Sequence, residues 1–290
     1  MKIQIFGAGG MLGNELIKQY PNFDFSDINN TINYCDIRDY NEVTSRINQY
    51  KPDYIFNFAA LTDLEECENN PHNCYLTNTL AAINLFEKCK ELNIPYIFIS
   101  TAGIFGNEPI DTFDEDYLPS PLSHYGHSKY EVEKYLKAST YDKWYIFRAG
   151  WMMGGGSSID KKFIEKIHKQ IRKGKTELFV VNDKAGTPTY TKDFANSIIK
   201  HIQNNLPFGL YNQVSTGGAT RYEVTRFMLD YLDYSNIILT EVDSTHFKNE
   251  YFANRPQSEI LLNKKLDKLN QNYMRNWKVC LEEYLNEYYK

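Results

Sequence analysis

The feature that most constrains this chain lies at its start, where Ile3-Gln4-Ile5-Phe6 is stopped by Gly7-Ala8-Gly9-Gly10 and succeeded by Met11, Leu12, Leu16 and Ile17 at helical spacing. A short apolar run, a glycine turn and a helix-period pattern predict strand, turn and helix in immediate succession. Gly7, Gly10 and Gly13 form GxxGxxG across that junction. Without Cβ atoms the turn can tighten, backbone N–H groups can approach a pyrophosphate, and the helix can pack on its strand. Such a turn also occurs as plain structure, so its meaning depends on the pattern of the downstream chain.

The same rhythm recurs. Tyr54-Ile55-Phe56-Asn57-Phe58, Tyr96-Ile97-Phe98-Ile99-Ser100 and Trp144-Tyr145-Ile146-Phe147-Arg148 read as strands, a weaker one lies at Phe23-Asp24-Phe25, and helices are expected over 39–50, 73–92 and 123–138. Strands separated by helices need crossover connections, which give a mainly parallel sheet covered on both faces. The expected fold is α/β, a doubly wound, Rossmann-like parallel sheet. Past Gly150 the rhythm weakens into a flexible turn at 154–158, a helix over 159–173 and a strand over 177–181. A helix over 191–204 and a strand over 209–214 then look able to rejoin the first sheet. We therefore expect a dinucleotide-binding domain over 1–150, to which about 188–214 returns. A smaller C-terminal α/β substrate subdomain is expected from 151–187 and 215–290.

Composition excludes several classes. With 290 residues, 42% hydrophobic and 24% charged, the chain can bury a sizeable core. A net charge of -5 speaks against nucleic acid as a partner. The odd set Cys35, Cys67, Cys74, Cys89 and Cys280 contains no CxxC pair and no zinc-finger spacing, so reduced thiols and no metal are expected. The glycines at 7, 9 and 10 cut short the only signal-like run, and no stretch approaches a membrane span, which makes the cytoplasm the expected location and a membrane no partner.

Chemistry concentrates in Tyr125-Gly126-His127-Ser128-Lys129, whose spacing sets Tyr125 and Lys129 on one helix face. A phenol is a poor acid–base group at neutral pH unless a neighbouring ammonium stabilises its anion, so Lys129 is expected to bring the Tyr125 pKa down. Thr101 stands at the end of the fourth strand, where parallel sheets gather ligands at their carboxyl ends. Asp27, just past the second strand, is either an acceptor for an adenosine ribose hydroxyl or a solvated loop acid. With no Lys or Arg directly after it to welcome a 2′-phosphate, NADH is weakly preferred over NADPH.

Thr101, Tyr125 and Lys129 together resemble the Ser/Thr-Tyr-Lys set of the short-chain dehydrogenases/reductases. Across nearly the whole chain the resemblance is to the extended type, nearest to the dTDP-4-dehydrorhamnose reductases. Gly7 to Gly13, Cys35-Asp36-Ile37, Asn57-Phe58-Ala59-Ala60-Leu61-Thr62, Asn78-Thr79-Leu80-Ala81-Ala82, Arg148-Ala149-Gly150-Trp151, Gly186-Thr187-Pro188-Thr189 and Arg255-Pro256 also carry it.

That resemblance implies NAD(H) or NADP(H) as cofactor and a nucleotide-linked 4-keto-6-deoxy sugar as substrate. Gly7, Gly10, Met11, Leu12, Gly13 and Asp27 would form the first part of the cofactor site. Asp36 and Ile37 would sit at the adenine, Ala59 and Ala60 along the cofactor, and Thr62 near its phosphates or the substrate. Asn78, grouped with the cofactor residues, would brace the site or simply bond a helix to a loop. Tyr125 and Lys129 would touch both cofactor and chemistry. On the substrate side stand Thr101 and Ala102, with Trp151 against a hexose or in the core, and Arg255 on the diphosphate or in a surface ion pair. Two departures stand out. Ala102, then Gly103, stands where the family's reductases commonly place Asp directly after the Thr and where sugar-nucleotide dehydratases carry an Asp-Glu pair, and no Asn precedes Phe163 in Lys161-Lys162-Phe163. A reductase is expected; an epimerase that keeps its NAD, or a non-catalytic dinucleotide-binding regulatory subunit, is the alternative. Extended members also suggest a homodimer.

Overall fold

Six strands build the main sheet: β1 (Ile3–Phe6), β2 (Asp24–Ser26), β3 (Tyr54–Asn57), β4 (Tyr96–Thr101), β5 (Trp144–Ala149) and β6 (Gly209–Asn212). The computed structural model describes residues 1–107 and 111–290. The strand order is β6-β5-β4-β3-β1-β2 and every pairing is parallel. The chain moves outward from β1 to β2 and then returns to the other side of β1 for β3. Their carboxyl ends therefore diverge at a switch point, which opens a crevice there.

Helices cover both faces. On one face α1 (Met11–Gln19) and α6 (Thr191–Gln203) bury Leu12, Leu16, Phe194, Ile198 and Ile202 against Ile3, Ile5, Phe56, Ile97 and Phe147. On the other, α2 (Tyr40–Tyr50), α3 (Ala81–Leu92) and α4 (His124–Ala138) bury Val43, Leu85, Phe86, Val132 and Leu136 against Phe6, Ile55, Phe98 and Ile146. The strands are thus apolar on both sides, as a covered parallel sheet requires. Asp39 starts α2 by accepting from the N–H groups of Asn41 and Glu42, both at 3.0 Å, and Ser123 starts α4 by accepting from Gly126 at 3.1 Å.

Two expected helices differ from the sequence reading. The stretch over 73–92 is three pieces, Pro71–Tyr75, a π-helical turn Leu76–Leu80, and α3. The widened turn carries the fully buried Asn78. The helix over 159–173 begins later, as α5 (Phe163–Arg172), because the buried Asp160 accepts from Lys162 N at 2.7 Å and from Tyr284 Oη at 2.8 Å, which holds the preceding backbone out of the helix.

Beyond β5 the pairings are small. Trp151–Met153 pairs in parallel with Pro188–Tyr190, and Glu177–Val181 with Ile238–Val242. Ala185–Gly186 lies between Ala219–Thr220 and Ser258–Leu261, and the last of these also pairs with Thr112–Phe113. Helix α7 (Arg221–Tyr231) starts from a capping box in which Thr220 and Glu223 satisfy each other's backbone N–H groups. The strand expected over 209–214 pairs only to Asn212; Gln213 and Val214 lead away to this second set of elements. Among the described residues no helix is long and apolar enough to cross a membrane.

Candidate active site

A single cleft of about 2410 Å³ runs from the glycine turn, across the carboxyl ends of β1, β3 and β4, to Trp151 and Arg255. One small ligand needs roughly 300–1,000 Å³, so this volume accommodates a dinucleotide and a second ligand together.

At the β1 end the glycines do different work. Gly7 has φ +85°, and a Cβ there would stand 2.3 Å from Ala59 N; at Gly13 it would stand 2.6 Å from Ala8 Cα. These two let β1, the Ala59 loop and α1 touch. At Gly10 the nearest atom would be 3.6 Å away, so that position is open toward the cleft. No side chain caps the N-terminus of α1, which leaves its first N–H groups to face the crevice. This cradle fits a pyrophosphate.

Asp27 is 8% exposed and accepts from Gly9 N at 3.0 Å, Asn29 N at 2.8 Å and Asn29 Nδ2 at 3.1 Å. It is not a solvated loop acid: it ties the glycine turn to the end of β2, with one lone-pair direction left for a ligand. Asp36 is held by Arg38 through Nε at 2.9 Å and Nη2 at 2.6 Å, and that guanidinium keeps its carboxyl below the usual range. Ile37 is buried with Cys35 and Val43. Met11, Leu12, Asp36, Ile37, Ala59, Ala60 and Thr62 all line the cleft.

Asn78 does not. It lies behind the cleft wall, where Oδ1 accepts from Leu61 N at 2.7 Å and Nδ2 donates to Leu61 O at 2.9 Å and to Ser128 Oγ at 3.1 Å. Ser128 in turn donates to Tyr125 O at 2.7 Å. The amide thus holds the Ala59–Thr62 loop and α4 in one register. Of its expected roles this is the brace: with its bonds spent on Leu61 and Ser128, the amide has none for the cofactor it was grouped with.

Thr101, Tyr125 and Lys129 all line the cleft, Thr101 at the carboxyl end of β4 and the other two on α4. The Thr101 hydroxyl hydrogen-bonds Tyr125 and also accepts from Gly103 N at 3.1 Å. Burial raises the Tyr125 pKa above that of a free phenol; the Thr101 hydrogen bond only partly opposes it. Lys129 is 3% exposed with its Nζ 4.0 Å from the Phe98 ring centroid, and burial pushes it down to about 7, with Glu133 and Cys74 pulling the other way. The expected depression of Tyr125 by Lys129 is therefore overturned by desolvation. The chemical result is a phenol that holds its proton at neutral pH, as a proton donor must.

Glu133 sits one turn beyond Lys129 on α4 and is itself gripped by Arg148, Nε at 2.9 Å and Nη2 at 2.7 Å, both side chains being fully buried. Since Lys129 is about half protonated near pH 7, kcat is expected to fall as pH rises through that value. Lys129→Arg should keep the charge and flatten the limb. A kcat profile flat from pH 6 to about 9 in the unmodified protein would contradict this role.

The substrate side differs most from expectation. Ala102 is 1% exposed, packed with Ile104, Phe105, Phe113, Val214 and Leu261, and does not line the cleft. The turn after Thr101 points it inward and leaves Gly103 at the surface of the site. Arg255 lines the cleft yet is bound to Glu65 at 2.8 Å and to Ala253 O at 2.9 Å. Trp151 also lines it, with Nε1 donating to Glu259 Oε2 at 2.6 Å and Arg221 stacked on its ring. Glu259 and Arg221 escaped the sequence reading. The capping box at Thr220-Arg221-Tyr222-Glu223 marks a helix start, but nothing local links it to Trp151.

The whole chain, residues 1–290, matches the family described as the RmlD substrate binding domain. It is 31% identical to the spore coat polysaccharide biosynthesis protein SpsK of Bacillus subtilis, over 99% of this chain and 97% of that protein. Its structure is similar to that of a dTDP-4-dehydrorhamnose reductase from Clostridium acetobutylicum, with TM-score 0.88, 30% identity and 99% of each chain covered. A dTDP-4-dehydrorhamnose reductase from Bacillus anthracis, solved in complex with NADP, gives TM-score 0.88 at 26% identity, again over 99% of each chain.

Proposed function

We propose that this chain, which belongs to the RmlD substrate binding domain family, reduces the 4-keto group of a nucleotide-linked 6-deoxy sugar, with Tyr125 as the proton donor. It is a sugar-nucleotide reductase of the extended short-chain dehydrogenase/reductase type and uses a nicotinamide dinucleotide. The observation that carries the catalytic assignment is Tyr125, kept protonated by burial and hydrogen-bonded to Thr101 in the cleft that begins at the glycine cradle.

A reduced nicotinamide held in this cleft would supply the hydride for the ketone carbon. Tyr125 Oη gives its proton to the oxygen that becomes an alkoxide. Thr101, already bonded to that phenol, orients the carbonyl oxygen and donates to it as charge develops. Lys129 stabilises the phenolate left behind, and Glu133 favours the charged form of Lys129. On the cofactor side, Gly7, Gly10 and Gly13 admit the pyrophosphate to the start of α1, with Met11, Leu12, Asp36, Ile37, Ala59, Ala60 and Thr62 along the wall.

Asp27 supports a preference for NADH: its carboxylate stands just past the end of β2, and Arg38, which lines the same cleft, is already spent on Asp36. A 2′-phosphate would meet negative charge there. Stopped-flow or steady-state oxidation of NADH and NADPH against a panel of dTDP- and UDP-linked 4-keto-6-deoxy sugars tests both parts. Turnover of at least one panel member is expected, with the larger kcat/KM for NADH. Silence across the panel would remove the proposed substrate class, and a larger kcat/KM for NADPH would remove the cofactor preference alone.

A further inference from the structure

Arg221, the first residue of α7, lays its guanidinium 3.5 Å from the Trp151 ring centroid and 4.6 Å from that of Phe163. Gly186 closes on the same indole: a Cβ there would stand 2.2 Å from Cε2 and 2.7 Å from Cδ2. Backbone against its fused atoms and a cation over its centroid both occupy ring surface that a stacked hexose would need. Its Nε1 is also committed to Glu259. The ring is thus a platform for Arg221 rather than for sugar.

The donors on this wall are unequally spent. Lys162 gives its Nζ to Thr62 O at 3.2 Å and Thr62 Oγ1 at 3.1 Å, and Arg255 is bound to Glu65 and Ala253 O. Among the described residues, no hydrogen bond or ion pair engages the Arg221 guanidinium. Burial lowers its pKa to about 10, Arg255 adds to the fall, and the attraction of Glu259 opposes it. Lys162 in turn feels Arg221. Arg255 is matched by Glu65 and Lys162 lies near Asp63 and Asp160, so among these three cations Arg221 is the one whose donors are free, and Glu259 beside it is spent on the Trp151 indole. A phosphate group offers such a free planar fork two or more anionic oxygens at once.

We propose that Arg221 is a specificity-determining residue whose planar fork holds phosphate oxygens of the substrate's diphosphate, in place of sugar stacking on Trp151. A stacked guanidinium keeps its in-plane N–H edge free for such bonds. The proposal rests on the sugar-nucleotide reading and adds to it the residue that reads the diphosphate and the role of Trp151 as its support.

Titration calorimetry with the full chain, using dTDP and dTMP as probes, separates the possibilities. The unmodified protein should bind dTDP tighter than dTMP. Arg221→Gln should lose about 10-fold in dTDP affinity while dTMP changes by less than about 3-fold, and Arg221→Lys should fall between. Glu259→Gln, which removes the opposing charge, should move the dTDP/dTMP ratio the other way, and it serves if Arg221→Gln does not fold. An unchanged ratio in both Arg221→Gln and Glu259→Gln overturns the proposal, as does an equal loss for both probes in Arg221→Gln, which would mean that Arg221 only packs Trp151. An unmodified protein that binds neither probe, nor UDP, removes the sugar-nucleotide reading and this proposal with it.

Discussion

Tyr125→Phe is expected to lower kcat about 10³-fold while leaving the dissociation constants for NADH and NADPH within about twofold of the unmodified protein. The phenyl ring retains its packing; what disappears is the one proton that burial holds in place at neutral pH. Thr101 remains to polarise a carbonyl, so the residual rate measures orientation without proton transfer. Single-turnover mixing of the NADH-loaded variant with a 4-keto sugar nucleotide checks the assignment directly. If the hydride step kept more than about a tenth of its normal rate, another group would have to be the donor.

Gly7→Ala should do comparable damage by a different route. Its φ of +85° already disfavours any side chain, and the new Cβ would stand 2.3 Å from Ala59 N and 2.5 Å from Phe58 C, which are backbone atoms unable to rotate away. Strain and overpacking together cost about 3 kcal/mol or more. In a chain of this size that is a drop in Tm on the order of 10 °C. Cofactor affinity should fall with it, since β1, the Ala59 loop and α1 meet at this residue. Gly10→Ala is the matched control: its φ is -74° and its Cβ would find the nearest atom at 3.6 Å. Thermal unfolding of the two variants side by side should show a large shift for position 7 and a small one for position 10. Equal shifts would refute the packing argument.

The parts legible in the sequence are those built from neighbours along the chain. The strand, glycine turn and helix from Ile3 to Gln19 are visible as a change of hydrophobic period, and Asp39 and Ser123 announce their helices by cap chemistry. Tyr125 and Lys129 are one turn apart on α4 and needed only Thr101 to become a site. The losses have physical causes. The π-helical turn at Leu76–Leu80 leaves the apolar spacing nearly unchanged, so the spacing does not show that Asn78 turns away from the cleft onto Leu61 and Ser128. The direction of the Tyr125 shift depends on how much water the finished fold excludes, which no spacing records. Glu259 reaches Trp151 from 108 residues away, and a contact that distant has no period and no motif.

The late return of the chain to its first sheet has a consequence for how the protein is made. On the face that α1 shares with α6, the cluster of Ile3, Ile5, Phe56 and Phe147 is only partly covered until α6 exists, and β5 is an open edge until β6 pairs with it. Both closing elements are synthesised only after the segments around Trp151 and α5. A nascent chain that has reached Gly150 already holds the glycine turn, Thr101, Tyr125 and Lys129, yet it also presents an apolar face and an unpaired strand of the kind on which chains aggregate. Completion of the nucleotide-binding half thus waits until the segment that carries Trp151 has been made.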